Sequence, residues 1–224
     1  LSEIIQDWEL SLPENIKLAY LPQPGIVRLR LTATGPDRDK LEKQLESQSE
    51  KLVHLIPRLV FGFGEESLEE NVGKLLKKLG KTLSTAESCT GGYIAHLITS
   101  IAGSSEYFTG SVVAYDNKIK TGVVGVKEDT IIRHGAVSGE TVTEMAQAVK
   151  EKFGTDYSIA VSGVAGPGGG TDLKPVGTTW IAISGPEALF VKKYQFGNHR
   201  QRNIRVAAVT ALNQLRLMVE HDHA

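Results

Sequence analysis

A strand followed directly by a helix is predicted in the segment Thr82-Leu83-Ser84-Thr85-Ala86-Glu87-Ser88-Cys89-Thr90-Gly91-Gly92. Its first five residues, apolar or β-branched apart from one serine, predict a strand. Apolar spacing from about residue 90 to residue 101 predicts a helix directly after it. A strand that runs straight into a helix is the repeating unit of layered α/β domains.

The same alternation continues on both sides of this stretch. A helix at 67–79 precedes it, with Ser67 and Glu70 forming a capping box. After it the sequence predicts, in order, a strand at 111–115, a helix at 137–149, strands at 157–162, 178–183 and 188–196, and a helix at 201–220. We therefore predict a three-layer α/β/α domain with a mixed, mostly parallel sheet, in which the last two strands form an antiparallel hairpin.

The first 64 residues follow a different pattern. Strands are predicted at 16–21 and 26–34, a helix from Pro36-Asp37 to Pro57, and a short third strand at Leu59-Val60-Phe61. We predict a small α+β domain over residues 1–64, followed by the α/β domain over 65–224. Because Leu1 rather than Met comes first, we expect the chain to be a piece of a longer protein.

Composition excludes several classes of function. A net charge of -1 gives no general reason to expect nucleic acid or an anionic membrane as partner. The single cysteine rules out an internal disulfide and a cysteine-cluster metal site, and it fits a cytoplasmic protein. No apolar run reaches the roughly 20 residues that span a bilayer.

Three polar or glycine-rich turns follow predicted strands, at 87–92, 115–120 and 162–170. In layered α/β domains ligands bind at the carboxyl ends of strands. We therefore expect these turns to form one site.

The first turn offers a nucleophile, Ser88. A serine between a strand and a helix projects its hydroxyl into the crevice, as in a nucleophile elbow. Backbone amides of Cys89, Thr90, Gly91 and Gly92 at the helix start are expected to be free to bind an oxyanion or a phosphate. The alternative is that Ser88 or Thr90 only caps the helix.

A serine nucleophile needs a base, and no histidine is predicted at a suitable strand end. A partly buried lysine with a lowered pKa can replace it. The second turn supplies Lys118 and Lys120 next to Tyr115. Both lysines can equally be solvated surface residues, and the spacing does not choose between them.

The third turn, Ser162-Gly163-Val164-Ala165-Gly166-Pro167-Gly168-Gly169-Gly170, suits a loop that wraps a ligand with backbone amides. It matches neither a Walker loop nor a dinucleotide fingerprint, and a flexible connection is the alternative. Further on, Arg200 and Arg202 at a helix start can grip a phosphate, or can lie on a solvated helix face.

Six blocks, in this order, resemble the CinA C-terminal domain. They are Ala86 to Gly92, Ile101-Ala102-Gly103-Ser104-Ser105, Tyr115-x-Asn117-x-x-Lys120, His134-Gly135-Ala136-Val137-Ser138, Ser162-Gly163-Val164-Ala165-Gly166-Pro167 with Gly169-Gly170, and Lys174-Pro175-Val176-Gly177-Thr178. The resemblance covers about residues 67–217, and that family includes the nicotinamide mononucleotide deamidases known as PncC. Residues 1–64 resemble the KH-like middle domain of full-length CinA proteins. There a molybdopterin-binding-like pyrophosphatase domain precedes it, which this sequence lacks.

The resemblance implies hydrolysis of the carboxamide of nicotinamide mononucleotide to nicotinate mononucleotide and ammonia, without metal or cofactor, in pyridine nucleotide recycling. It implies that Ser88 is the nucleophile, Lys120 the base and Tyr115 an assisting group, with the amides of residues 89–92 as the oxyanion site. The substrate contacts expected from it are Glu87, Asn117, Ser162, Gly163, Ala165, Gly166, Gly169, Arg200 and Arg202. The family's Gly-Asp-Arg run is replaced here by Gly197-Asn198-His199-Arg200, so Arg202 competes with Arg200. Glu87 can instead be a buried carboxylate that orients the turn. We also expect a homodimer.

Two other functions compete with the deamidase. The KH-like region and the association of the family with competence suggest a nucleic-acid interaction module, but the turn Pro22-Gln23-Pro24-Gly25 lacks the Gly-x-x-Gly loop that grips nucleic acid. A catalytically silent nucleotide sensor could use the same crevice. The joint presence of Ser88, Tyr115 and Lys120 argues against it.

Overall fold

The computed structural model describes residues 1–223. They form two compact units, Leu1–Gly62 and a larger one that begins at Phe63. Among residues 1–223, no helix has the length and apolar character needed to cross a membrane.

The smaller unit packs two helices against a hairpin. Its elements are α1 (Ser2–Leu10), β1 (Ile16–Gln23), β2 (Ile26–Ala33) and α2 (Arg38–Leu55). The two strands are antiparallel and turn at Gly25, whose φ of 86° lies in the left-handed region that favours glycine. Ile5, Trp8, Leu52 and Ile56 form the buried core between helices and sheet.

The prediction of a third strand in this unit was wrong. The amides of Leu59 and Val60 donate back to the carbonyl of Ile56, at 3.0 and 3.3 Å, so this segment is a turn followed by irregular chain. These amides are therefore not available to a sheet ladder. The sheet of this unit has two strands, and β1 runs on to Gln23, two residues beyond its predicted end.

The larger unit alternates helices and strands. Its elements are α3 (Leu68–Leu79), β3 (Leu83–Glu87), α4 (Tyr93–Thr99), a 3-10 turn (Ser104–Glu106), β4 (Phe108–Val113), α5 (Asn117–Ile119) continued by a π-helical turn (Lys120–Val124), α6 (Glu128–His134), α7 (Gly139–Phe153), β5 (Tyr157–Gly163), β6 (Thr178–Ser184), β7 (Leu189–Gln195) and α8 (Arg200–Asp222). The capping box of α3 is confirmed on its serine side, since the Ser67 hydroxyl accepts from the amide of Glu70.

Five strands form one mixed sheet in the order β4-β3-β5-β6-β7. β4, β3 and β5 are parallel, β6 runs against β5, and β7 runs against β6, so β6 alone points the other way. The segment between β5 and β6 contains no helix, and without a crossover the next strand returns antiparallel. Helix α7 packs on β3, β5 and β6, while α8 packs on β5 and β6 together with α3 and α4. The predicted three-layer α/β/α fold and its hairpin are confirmed.

Candidate active site

The carboxyl ends of β4, β3 and β5 meet at one edge of the sheet. Glu87, the last residue of β3, pairs with Val113 on one side and Val161 on the other. Beyond these pairs, the amide of Ala114 donates to the Glu87 carbonyl at 2.7 Å and the amide of Ser88 donates to the Val161 carbonyl at 2.9 Å. The turns that follow the three strands therefore start side by side.

Ser88 lies at this edge with a free hydroxyl. Its side chain is largely buried, with 8% of the residue exposed, and within residues 1–223 the hydroxyl has no hydrogen-bond partner. The amides of Cys89 and Thr90 likewise donate to no other residue in this part of the chain, and the buried Thr90 hydroxyl has no partner either. A serine hydroxyl next to two unbonded amides is the arrangement that an acyl-transfer site requires.

The other two amides expected at the oxyanion site are occupied. The Gly91 amide donates to the Ser88 carbonyl at 3.1 Å, and the Gly92 amide donates to the Glu87 carboxylate at 3.1 Å. The prediction that all four amides from Cys89 to Gly92 are free was wrong for these two glycines. Their positive φ values, 62° and 93°, instead let the chain turn sharply, and α4 begins only at Tyr93.

Glu87 caps helix α4. It is fully buried, and its carboxylate accepts from the amides of Gly92, Ile94 and Ala95 at 3.1, 3.0 and 2.8 Å. Because the carboxylate supplies the cap, neither Ser88 nor Thr90 is needed for it, contrary to the helix-cap interpretation of those residues. With both oxygens bonded inside the protein, Glu87 orients the turn, and a direct contact with substrate is not favoured.

Replacing Glu87 by Gln is expected to destabilise the protein by about 1–3 kcal/mol, because an NH₂ group would then face amide donors. For a chain of this size that lowers the melting temperature by about 2–4 °C per kcal/mol. Thermal unfolding followed by circular dichroism measures the change. The matched control is Glu151→Gln at an exposed position of α7. An equal effect of both substitutions would contradict the capping role.

Lys120 is buried without a counter-ion. Only 1% of the residue is exposed, and its Nζ donates to the carbonyls of Ala114 at 2.8 Å and Tyr115 at 3.3 Å. No carboxylate within residues 1–223 forms a salt bridge with it. Burial therefore lowers the pKa of Lys120, and Asp116 and Cys89 oppose this only in part. Lys118 is exposed, so burial distinguishes the two lysines where spacing did not.

Cys89 is a poor nucleophile in this setting. Burial raises the pKa of its thiol to about 12, so the thiol stays protonated at neutral pH. The charge on Glu87 raises this pKa further, while the charges on Lys120 and Arg200 lower it without cancelling the effect of burial. The serine, not the adjacent cysteine, is the group suited to attack.

Arg200 connects the second turn to the third turn, residues 162–170, which we call the glycine loop. Its Nη2 donates to the Tyr115 hydroxyl at 2.8 Å, and its Nη1 donates to the Gly166 carbonyl at 2.9 Å. Arg202 is exposed, and its amide completes the α8 cap on His199 at 3.4 Å. The structure thus places Arg200, and not the side chain of Arg202, in contact with the other expected site residues. Asn117, at the start of α5, is exposed.

Residues of the glycine loop play different parts. The Ser162 hydroxyl donates to the Ala136 carbonyl at 2.7 Å, which connects β5 to the segment that precedes α7. A Cβ on Gly163 would lie 2.7 Å from the Thr178 carbonyl oxygen, so this glycine serves the packing of β6. These two positions therefore favour a structural role over the predicted nucleotide contact. In contrast, within residues 1–223 the amides of Ala165, Gly166 and Gly169 donate to no acceptor.

Asn203 was not among the site residues predicted from the sequence. This buried residue of α8 donates to the carbonyls of Ala165 at 3.0 Å and Gly197 at 2.8 Å. A polar side chain on the apolar face of the last predicted helix, one turn after Arg200, was the available signal. Within residues 1–223, no group of three or more His, Cys, Asp or Glu side chains is placed to hold a metal ion.

Comparison with known proteins points to one family. The family model of the CinA C-terminal domain matches residues 65–219. A protein of Cytophaga hutchinsonii named CinA-like protein is 49% identical over 216 residues, which cover 96% of this chain and 52% of the relative. A CinA-like protein of Flavobacterium psychrophilum is 46% identical over the same shares. The chain thus spans about half the length of these relatives.

Solved structures of similar proteins point to the same family. The competence/damage inducible protein CihA of Agrobacterium tumefaciens is 34% identical with a TM-score of 0.67, over 72% of this chain and 98% of that one. A competence-damaged protein (CinA) superfamily protein of Klebsiella pneumoniae is 32% identical with a TM-score of 0.67, over 69% of this chain and 96% of that one.

Proposed function

This chain belongs to the CinA C-terminal domain family, and from that premise we propose that it hydrolyses the carboxamide of nicotinamide mononucleotide to nicotinate mononucleotide and ammonia. The observation that carries the proposal is a free Ser88 hydroxyl beside unbonded amides, together with a buried lysine, in the turn that follows the neighbouring strand, that has no salt-bridge partner among residues 1–223. A carboxamide is a weak electrophile, so its hydrolysis needs both an activated nucleophile and an oxyanion site.

Lys120 has the geometry of a base. In its neutral form the amine has two N–H bonds and one lone pair, and the carbonyls of Ala114 and Tyr115 accept two N–H bonds. The lone pair is then left to accept a proton. Burial lowers the pKa of Lys120, which increases the neutral fraction at a given pH.

The reaction proceeds in two steps. The Ser88 oxygen attacks the carboxamide carbon while its proton moves to Lys120, and the negative charge that forms on the carbonyl oxygen is bound by the amides of Cys89 and Thr90. Lys120 returns the proton to the leaving nitrogen, which departs as ammonia. Water, deprotonated by the same lysine, then attacks the ester carbon. The bond to the Ser88 oxygen breaks, Lys120 returns the proton to that oxygen, and the nicotinate nucleotide is released.

The remaining contacts suit an anionic nucleotide. Free amides of the loop at Ala165, Gly166 and Gly169 and the remaining N–H groups of Arg200 offer donors to phosphate oxygens. Tyr115 assists by anchoring Arg200, because its hydroxyl accepts from that guanidinium and its carbonyl from Lys120.

Titration with nicotinamide mononucleotide followed by ammonia detection tests the proposal. Turnover supports it. Binding without ammonia release would assign the chain instead to the catalytically silent nucleotide-binding modules, and absence of both would leave the competence-associated interaction module.

Arg200→Met is expected to raise KM for nicotinamide mononucleotide by about tenfold or more, since one bidentate charged contact contributes at least about 1.4 kcal/mol. Arg202→Met, two positions further along α8, is the control. It is expected to change KM by less than about twofold, because the exposed Arg202 side chain makes no specific contact within residues 1–223. Steady-state kinetics of both variants measures this. A larger effect at Arg202 would reverse the assignment.

The curated relatives are about twice as long as this chain. We propose that, in a protein of that length, the unit at residues 1–62 is a KH-like connector to a preceding molybdopterin-binding-like pyrophosphatase domain, and that the protein works in the cytoplasm as a homodimer without metal or cofactor.

A further inference from the structure

The first turn of α8 contacts two consecutive carbonyls of the glycine loop. Asn203 Nδ2 donates to the Ala165 carbonyl at 3.0 Å, and Arg200 Nη1 donates to the Gly166 carbonyl at 2.9 Å. Residues three apart on a helix lie on the same face, so the two side chains act on the loop from one side.

Asn203 also holds the segment before its own helix. The same amide nitrogen donates to the Gly197 carbonyl at 2.8 Å, and only 2% of the residue is exposed. Both partners are carbonyls, which accept only, so the amide nitrogen and not the oxygen must face them. One buried side chain thus connects the loop after β5 to the turn after β7.

This contact fixes the direction of a peptide group. In a trans peptide the carbonyl and the N–H of the next residue point in opposite directions, and the bond between Ala165 and Gly166 is trans. Because the Ala165 carbonyl points to α8, the Gly166 N–H points away from it. That N–H donates to no acceptor within residues 1–223.

Gly166 permits the arrangement. Its φ of 88° lies in the left-handed region, and an added Cβ would lie 2.5 Å from Val176 Cγ1. A side chain at this position would strain the backbone and displace Val176. The loop conformation at Ala165 and Gly166 is therefore set by a glycine on one side and by Asn203 on the other.

We propose that Asn203 is a positioning residue that holds the Ala165–Gly166 peptide so that the Gly166 N–H binds an anionic oxygen of the nucleotide. The inference rests on the proposed function for the identity of the ligand. Asn203 is too deeply buried to touch the ligand itself, so its effect passes through the loop backbone.

The test compares Asn203→Leu with Asn213→Leu on the same helix, where the Asn213 oxygen accepts from Arg216 Nε. Asn203→Leu keeps the side-chain size and removes both donated hydrogen bonds. It is expected to raise KM for nicotinamide mononucleotide about tenfold, with kcat within about threefold of wild type. Amide hydrogen exchange of residues 163–170 is expected to accelerate in the free protein, with no change in Asn213→Leu. Asn203→Ser retains one donor, so its KM and its loop exchange rate are expected to lie between those of wild type and Asn203→Leu. It replaces Asn203→Leu if that variant does not fold.

Each outcome decides one point. Unchanged KM and unchanged exchange of the loop would overturn the positioning role, and so would a fall in kcat at constant KM. Wild-type protein that binds nicotinamide mononucleotide in calorimetry but releases no ammonia would refute only the proposed function, and the dissociation constants of the variants would then test Asn203 in place of KM. Wild-type protein that does not bind this nucleotide would refute both.

Discussion

Ser88→Ala is expected to abolish ammonia release from nicotinamide mononucleotide while leaving the protein folded. Removal of a serine nucleophile typically lowers kcat by at least about 10⁴-fold, because the remaining groups stabilise charge but cannot form the covalent intermediate. The Ser88 hydroxyl forms no hydrogen bond within residues 1–223, so its loss breaks no structural contact. We therefore expect a change in stability of less than about 0.5 kcal/mol.

Ser100→Ala is the matched control. This exposed serine at the end of α4 donates to the Leu97 carbonyl and lies outside the turn. Ammonia release and thermal unfolding of both variants beside wild type separate a chemical loss from a folding defect. Near-normal turnover of Ser88→Ala would rule out the serine mechanism.

Lys120→Met is expected to abolish turnover and, at neutral pH, to make the protein more stable. Burial lowers the pKa of Lys120 in the folded state, whereas in the unfolded chain it is about 10.4. Between these two values the unfolded state binds more protons, so stability rises with pH. Below the folded-state pKa the lysine is charged in both states, and its buried charge destabilises the folded one. Methionine fills similar space without that charge.

The stability gain therefore has a defined pH dependence. It is expected to be largest below the folded-state pKa of Lys120 and to vanish above about pH 10.4, where the lysine is neutral in both states. Each kcal/mol corresponds to about 2–4 °C in melting temperature for a protein of this size. Melting curves across pH measure it, and a loss of stability at neutral pH would contradict the unfavourable burial of this charge.

Activity should depend on the same ionisation. Turnover by wild type is expected to rise with pH and level off below the ordinary lysine pKa of about 10.4, since only the neutral amine can accept the serine proton. Lys120→Arg is expected to remain inactive at every pH, because a guanidinium does not deprotonate. Lys118→Met, at an exposed position, is the control and should keep turnover within about twofold. Activity of Lys120→Arg would exclude the lysine as base.

Local sequence patterns predicted the order of the five sheet strands and of helices α3, α4, α7 and α8 of the larger unit, and they indicated where the candidate site lies. The capping residue Ser67, the apolar periodicity of the helices and the short apolar strands depend on neighbours within a few residues, so they were readable along the chain. Parallel strands bring their carboxyl ends to one edge, which is why the turns at Ser88 and Tyr115 were expected together. By contrast, the third strand at 59–61 had a suitable composition, but its amides bond to the preceding turn.

Which polar groups are free to bind a ligand depends on contacts that form only in the folded chain. The fold placed the Glu87 carboxylate on the amides of α4, which occupied Gly92 and left Ser88 unbonded. It also distinguished buried Lys120 from exposed Lys118, which lie two positions apart in one turn.

The contacts of α8 were equally beyond the local pattern. Arg200 bonds to Tyr115 across 85 positions, and Asn203 bonds to Ala165 across 38. Burial and long-range hydrogen bonds depend on segments that meet only when the sheet has formed, so residue type and spacing identify the candidates without ranking them. Local pattern therefore predicted that Ser88 lies between a strand and a helix, whereas the long-range contacts of the fold leave its hydroxyl free.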